Sequence, residues 1–109
     1  MDELRVEQLR ALADPLRLRI VELLRARGEV CVCRLFEALS TSQPNMSAHL
    51  RVLRQARLIR ARKMGKWVFY ALDADAATEL LAWLGEVMTP VAAGPTADVA
   101  CCGSEEAAA

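Results

Sequence analysis

The chain has 109 residues, one histidine and four cysteines, and its 14 basic and 14 acidic side chains cancel to a formal net charge of zero. That length makes one small domain that buries a large core only with difficulty on its own. Its longest apolar stretches are too short to span a bilayer, and its acidic start, Met1-Asp2-Glu3, is unlike a signal peptide. The expectation is a cytoplasmic homodimer with no membrane segment, whose cysteines stay reduced and act as metal-binding or redox-sensing groups.

Residues 3–13 carry Leu4, Leu9 and Leu12 among charges, the pattern of an amphipathic helix. Asp14-Pro15 then supplies a cap and a first-turn proline for a second helix, which packs through Leu16, Ile20, Leu23 and Leu24 and stops at Gly28. Val30 to Cys33 fits either a brief strand or the lead-in to a third helix over Arg34 to Leu39. Ser40-Thr41-Ser42 is the turn before a fourth helix, Gln43 to Ala56, in which Met46, Leu50 and Leu53 point inward. Two β-rich runs, 58–63 and 67–72, flank Met64-Gly65-Lys66 as a hairpin. Asp73 or Asp75 opens a last helix that is apolar around most of its girth, through Leu80, Leu81, Trp83, Leu84, Val87 and Met88. So wide an apolar surface suggests a dimer interface. Residues 1–90 thus form the folded domain, and 91–109 read as a flexible tail of Ala, Gly, Pro, Thr and Ser that carries a vicinal Cys pair.

The fold class that follows is mainly α with a small β-hairpin: helix, turn, helix and basic wing, a winged helix-turn-helix. The zero net charge conceals a polarised molecule. From Pro44 to Tyr70 there are seven basic residues and no Asp or Glu, and such a patch is the electrostatic footprint of a nucleic-acid partner. An α-helix fits the major groove, and short polar side chains near its N-terminus reach base edges. Asn45, Ser47 and His49, with Gln43 beside them, are therefore candidates for base reading. Arg51, Arg54 and Arg57 suit phosphates, as do Arg62, Lys63 and Lys66 on the wing. A lone histidine is often just a hydrogen-bonded packing residue, but the position of His49 between Ser47 and Arg51 favours DNA, and no His-rich metal site can form.

Taken together, Ala13-Asp14-Pro15-Leu16-Arg17, Glu29-Val30-Cys31-Val32-Cys33, the run from Ser42 to Leu50 and the run from Arg62 to Tyr70 resemble the ArsR/SmtB family of metalloregulatory repressors over residues 3–88. The resemblance implies a homodimer joined through its first and last helices, bound to an inverted repeat of double-stranded operator DNA and released by an inducer. Two-fold symmetry separately predicts half-sites about one helical turn apart.

Four thiols, Cys31, Cys33, Cys101 and Cys102, are the candidate ligands, and thiolates select soft ions such as As(III), Sb(III), cadmium, lead, copper(I) and zinc. Two helical residues two apart lie about 200° around the axis, so Cys31 and Cys33 cannot grip one ion from a regular helix. Ligand binding is then expected to unwind the start of the third helix and disturb the fourth. In arsenite-responsive members of the family, Cys-Val-Cys is followed three residues later by another cysteine, where this chain has Phe36. The missing thiolate can come from Cys101 or Cys102, in cis or in trans. The tail pair can also be a separate site, suited to methylarsenite, or idle. Cadmium and lead sensors of the family add N-terminal cysteines, and residues 1–30 contain none. A thiol-redox switch of the same fold is a second reading, ranked lower because Cys-x-Cys strains an internal disulfide. An enzyme has no support: there is no Cys-x-x-Cys, no βαβ unit and no phosphate-cradling loop.

Overall fold

In the computed structural model, residues 2–92 are described. They form α1 (Asp2–Leu12), α2 (Pro15–Arg27), β1 (Val30–Cys31), α3 (Val32–Leu39), α4 (Gln43–Gln55), β2 (Ile59–Met64), β3 (Trp67–Leu72) and α5 (Ala74–Met88). Three of the helices begin where an oxygen-bearing side chain satisfies an otherwise unpaired N–H. Asp14 accepts from Leu16 and Arg17 at 3.0 and 3.1 Å, Ser42 accepts from Asn45 at 3.2 Å, and Asp73 accepts from Ala76 at 3.1 Å. Helix α2 ends at Gly28, whose φ of 80° is costly for any residue with a Cβ.

The core is where the inward faces of these helices meet. Ile20, Leu24, Leu35, Met46 and Leu53 are fully buried, joined by Val30, Leu39, Leu50, Leu58, Ile59 and Leu80. Gln8 of α1 is the one buried polar residue among the described ones. It donates to the carbonyl of Ala56 at 3.1 Å, so the end of α4 is closed by a side chain from α1.

The wing departs from a two-stranded hairpin. Strand β1 joins it, giving an antiparallel sheet in the order β1-β3-β2. Val30 pairs with Tyr70 and Cys31 with Phe69, while Arg62 faces Phe69 from the other side. The strand and helix readings of Val30 to Cys33 are thus each half right: the strand takes Val30–Cys31, and the helix starts at Val32 rather than Arg34. Gly65, with φ 60°, opens the two-residue turn between Met64 and Trp67, a position where a hairpin needs positive φ.

Candidate functional site

Helix α4 has an inner and an outer face. Met46, Leu50 and Leu53 anchor it, while Gln43, Asn45, Ser47, Arg51 and Arg54 are exposed on the outside. The residues expected to read bases lie in its first turns, where Asn45 also donates from its amide to Thr41 Oγ1 at 2.8 Å. On the wing, Lys63 and Lys66 are exposed, and Lys66 lies 5.3 Å from the Trp67 ring.

Two expected DNA contacts are engaged by other side chains of the chain. His49 is only half-exposed. Its Nδ1 lies 3.0 Å from the Arg17 guanidinium and 4.0 Å from the Asp14 carboxylate. The ring is thus held in a hydrogen-bonded packing arrangement, with Nδ1 engaged by Arg17. The geometric reason is the flank of α4 on which it sits, which turns toward the start of α2. Arg62 is paired at the surface: it donates from Nε and Nη2 to both carboxylate oxygens of Glu29, at 2.8 and 2.7 Å, and its guanidinium lies 5.5 Å from the Phe69 ring centre. This bidentate pair holds the Glu29 carboxyl below its ordinary pKa. The basic run from 44 to 70 contains no acid, but the strand β1 register brings one to it from 33 residues away.

The thiols correct another expectation. Cys31 lies outside the helix: it is the N-cap of α3, with extended backbone (φ −67°, ψ 143°), and Cys33 is in the first turn. The 200° separation applies only inside a regular helix, so here the two side chains converge. Their sulfurs are 3.0 Å apart, with the Cys33 thiol donating to Cys31. The pair is half-exposed, and no unwinding is needed to bring both sulfurs onto one ligand. Cys31 closes no full capping hydrogen bond through its thiol. Its pKa is nonetheless lowered, first by the Cys33 thiol and then by the Cys33 backbone N–H, with Arg34 adding to both effects. Cys33 is shifted up, first by its bond to Cys31 and then by burial. The two thiols therefore ionise in order, Cys31 ahead of Cys33. Among the described residues no group of three or more His, Cys, Asp or Glu is placed to hold a metal ion. Cys101 and Cys102 lie outside the described residues.

Nor is any helix among the described residues long and apolar enough to cross a membrane. Apolar side chains do remain exposed on the last helix and the first: Leu81, Val87 and Met88 on α5 are 68, 58 and 72% exposed, and Val6 on α1 is 41% exposed.

Residues 14–61 match the model of the bacterial regulatory protein arsR family. The chain is 44% identical over 83 residues to the arsenical resistance operon repressor of Escherichia coli K12, covering 76% of this chain and 68% of the relative. It is 40% identical to the arsenical resistance operon repressor of Bacillus subtilis, covering 74% and 84%. A cadmium resistance transcriptional regulatory protein homologue of Staphylococcus aureus is 36% identical, over 66% and 60%. Among solved structures, an ArsR family transcriptional regulator superposes with a TM-score of 0.71 at 29% identity, covering 80% of this chain and 89% of that one. A homodimeric winged helix-turn-helix DNA-binding domain from Mycobacterium bovis superposes at 0.65, with 29% identity and 78% of each chain covered.

Proposed function

The chain belongs to the ArsR family of DNA-binding transcriptional regulators, and from that premise we propose that it is a repressor released from its operator when trivalent arsenic or antimony binds its thiolates. The observation that carries this reading is the 3.0 Å approach of Cys31 and Cys33 at the start of α3. Two converging thiols with one lowered and one raised pKa fit a soft thiophilic ion and no hard one. An arsenic ligand set is completed by a third thiolate, and the remaining thiols of the chain are Cys101 and Cys102. The relatives that carry arsenical resistance in their names favour arsenic over cadmium. The cadmium relative keeps a cadmium or lead inducer as the alternative.

The geometry supplies a route from thiol to DNA. A pyramidal As(III) or Sb(III) centre bonds each thiolate directly, so the hydrogen bond that now sets the 3.0 Å approach of the two sulfurs is lost and both are repositioned. Cys31 is paired with Phe69 on β3, and Arg62 on β2 is clasped to Glu29 just ahead of it. Displacement of Cys31 therefore pulls on the wing through β1, and Cys33 pulls on α3, which leads directly into the turn before α4. A ligand that fits the displaced arrangement better than the DNA-bound one lowers DNA affinity by linkage.

The proposal includes a homodimer joined through α1 and α5, on an inverted repeat. It is supported by the exposed apolar side chains of both helices and the homodimeric structural relative. DNA contact is assigned to Gln43, Asn45, Ser47, Arg51, Arg54, Lys63 and Lys66.

The test is a titration of fully reduced protein with arsenite, methylarsenite and cadmium, counting protected thiols and measuring release of bound DNA. Wild type is compared with Cys31→Ser, Cys33→Ser and a chain ended after Pro90. The expected result is DNA binding in both serine variants with release by arsenite abolished. Three thiols protected by arsenite, falling to two on truncation, is the outcome for a site shared with the tail. Protection by cadmium alone overturns the arsenic assignment.

A further inference from the structure

The Asp14-Pro15-Leu16-Arg17 run has no part in thiol chemistry or in reading bases, and its arginine is placed oddly. Arg17 occupies the first turn of α2, where the helix dipole disfavours a cation. Its partners lie on two other helices. Nε donates to the Ala11 carbonyl at 2.7 Å and Nη2 to the Arg10 carbonyl at 3.3 Å. Both are among the last carbonyls of α1, where the helix end favours a positive charge; the Arg10 carbonyl also accepts from the Ala13 N–H at 3.1 Å. Nη1 donates to His49 Nδ1 at 3.0 Å. A guanidinium only donates, so Nδ1 must carry the lone pair. Asp14, which caps α2, lies 4.0 Å from the same ring nitrogen and balances the charge locally.

We propose that Arg17 is a positioning residue for DNA recognition: by holding the end of α1 and the ring of His49 in one planar fork, it sets the direction in which α4 projects from α1. The second fastening makes this a matter of direction. Gln8 of α1 is bonded to the Ala56 carbonyl at the other end of the same helix, about two turns from His49 on an α-helical rise. One attachment is a pivot, and two fix an axis. In a dimer joined through α1, that axis decides whether both recognition helices meet the major groove at once. The inference rests on the reading of the chain as a DNA-binding protein and is independent of the inducer.

The experiment uses the full chain and two duplexes: one enriched by the wild type from a random-sequence library, and a scrambled control. Arg17→Lys keeps the charge but replaces the rigid fork with a single flexible ammonium. Affinity for the enriched duplex should fall roughly tenfold or more, the scale of losing hydrogen bonds to a charged group. Affinity for the scrambled duplex and the salt slope should stay at wild-type values, because the number of phosphates neutralised is unchanged. His49→Ala should show the same selective loss, and the double variant no further loss. His49→Asn, which keeps an acceptor near the Nδ1 position, should retain wild-type binding. Wild-type affinity of Arg17→Lys for the enriched duplex overturns the proposal. So does a parallel loss on both duplexes with a shallower salt slope, which would make Arg17 a phosphate contact. If Arg17→Lys fails to fold, the two His49 variants decide: equal loss in both identifies the ring as a base reader and overturns the proposal. A wild type that enriches no sequence removes the DNA-binding reading and this inference with it, whereas altered arsenite binding alone bears only on the inducer.

Discussion

Helices α4 and α5 are built alike and finished differently. Each starts on an oxygen cap, Ser42 for one and Asp73 for the other; α4 packs Met46, Leu50 and Leu53 on the core, and α5 packs Leu80 with Trp83 beside it. Outside those contacts α4 is exposed through Gln43, Asn45, Ser47, Arg51 and Arg54, whereas α5 is exposed through Leu81, Val87 and Met88. The core accounts for the inner faces of both. Only the outer faces differ, and they differ in what they need: a polar, basic surface is content in water or against phosphate, but an apolar one gains by covering. Under the proposed function, the same helical scaffold presents a nucleic-acid face on one side and a protein face on the other.

Breaking the shared inner anchor should have the largest effect. Leu53 is fully buried, and Leu53→Ala should lower unfolding free energy by ~2–5 kcal/mol in urea denaturation. In a domain of this size that is much of the total, so soluble protein and DNA binding should fail together. Next come the outer faces, where the two helices should part company. Leu81→Glu should leave helicity intact and halve the mass seen by sedimentation. Arg51→Ala should leave the mass unchanged and reduce the slope of log affinity against log salt by about one. A dimeric Leu81→Glu protein would remove α5 from the interface. An unaltered slope for Arg51→Ala would move the phosphate contacts elsewhere on the basic surface.

The contrast between α4 and α5 was open to inspection in the sequence, because periodicity reports which residues share a face and composition reports what that face is made of. Caps and terminators were equally plain: Asp14, Gly28, Ser42 and Gly65 each sit where a local backbone requirement selects their type. What escaped was set by tertiary register. Glu29 and Arg62 are 33 residues apart, and Arg17 and His49 are 32 apart. No local pattern marks either pair, so neither the Glu29 contact of Arg62 nor the Arg17 contact of His49 is legible in the sequence. The thiols depend on tertiary register as well. Helical spacing does not place both cysteines, because β1 pairing with β3 ends at Cys31 and leaves it extended, so a strand decides where the helix begins. A short apolar run that starts a helix after glycine is a weak signal for such a strand, and only the partner strand makes it definite.

The smallest expected effects concern the caps, and here a third helix sharpens the comparison. Ser42 and Asp73 accept N–H groups through oxygen, but the cap of α3 is the thiol of Cys31, which closes no full hydrogen bond of this kind. Ser42→Ala should therefore cost about 1 kcal/mol of stability, and Cys31→Ala measurably less, by thermal or urea unfolding of the reduced proteins. The weaker cap leaves Cys31 available for chemistry. Its lowered pKa means that thiolate is present at a pH where an ordinary thiol is still protonated, whereas Cys33 is shifted the opposite way. Because the thiolate is the nucleophile, limited iodoacetamide near neutral pH should label Cys31 ahead of Cys33, and the bias should shrink as pH rises and Cys33 ionises. Peptide mass mapping reads the order directly. Labelling of Cys33 first would reverse the order of ionisation. A bias independent of pH would trace it to access and not to ionisation, leaving α3 with a cap that is simply poor.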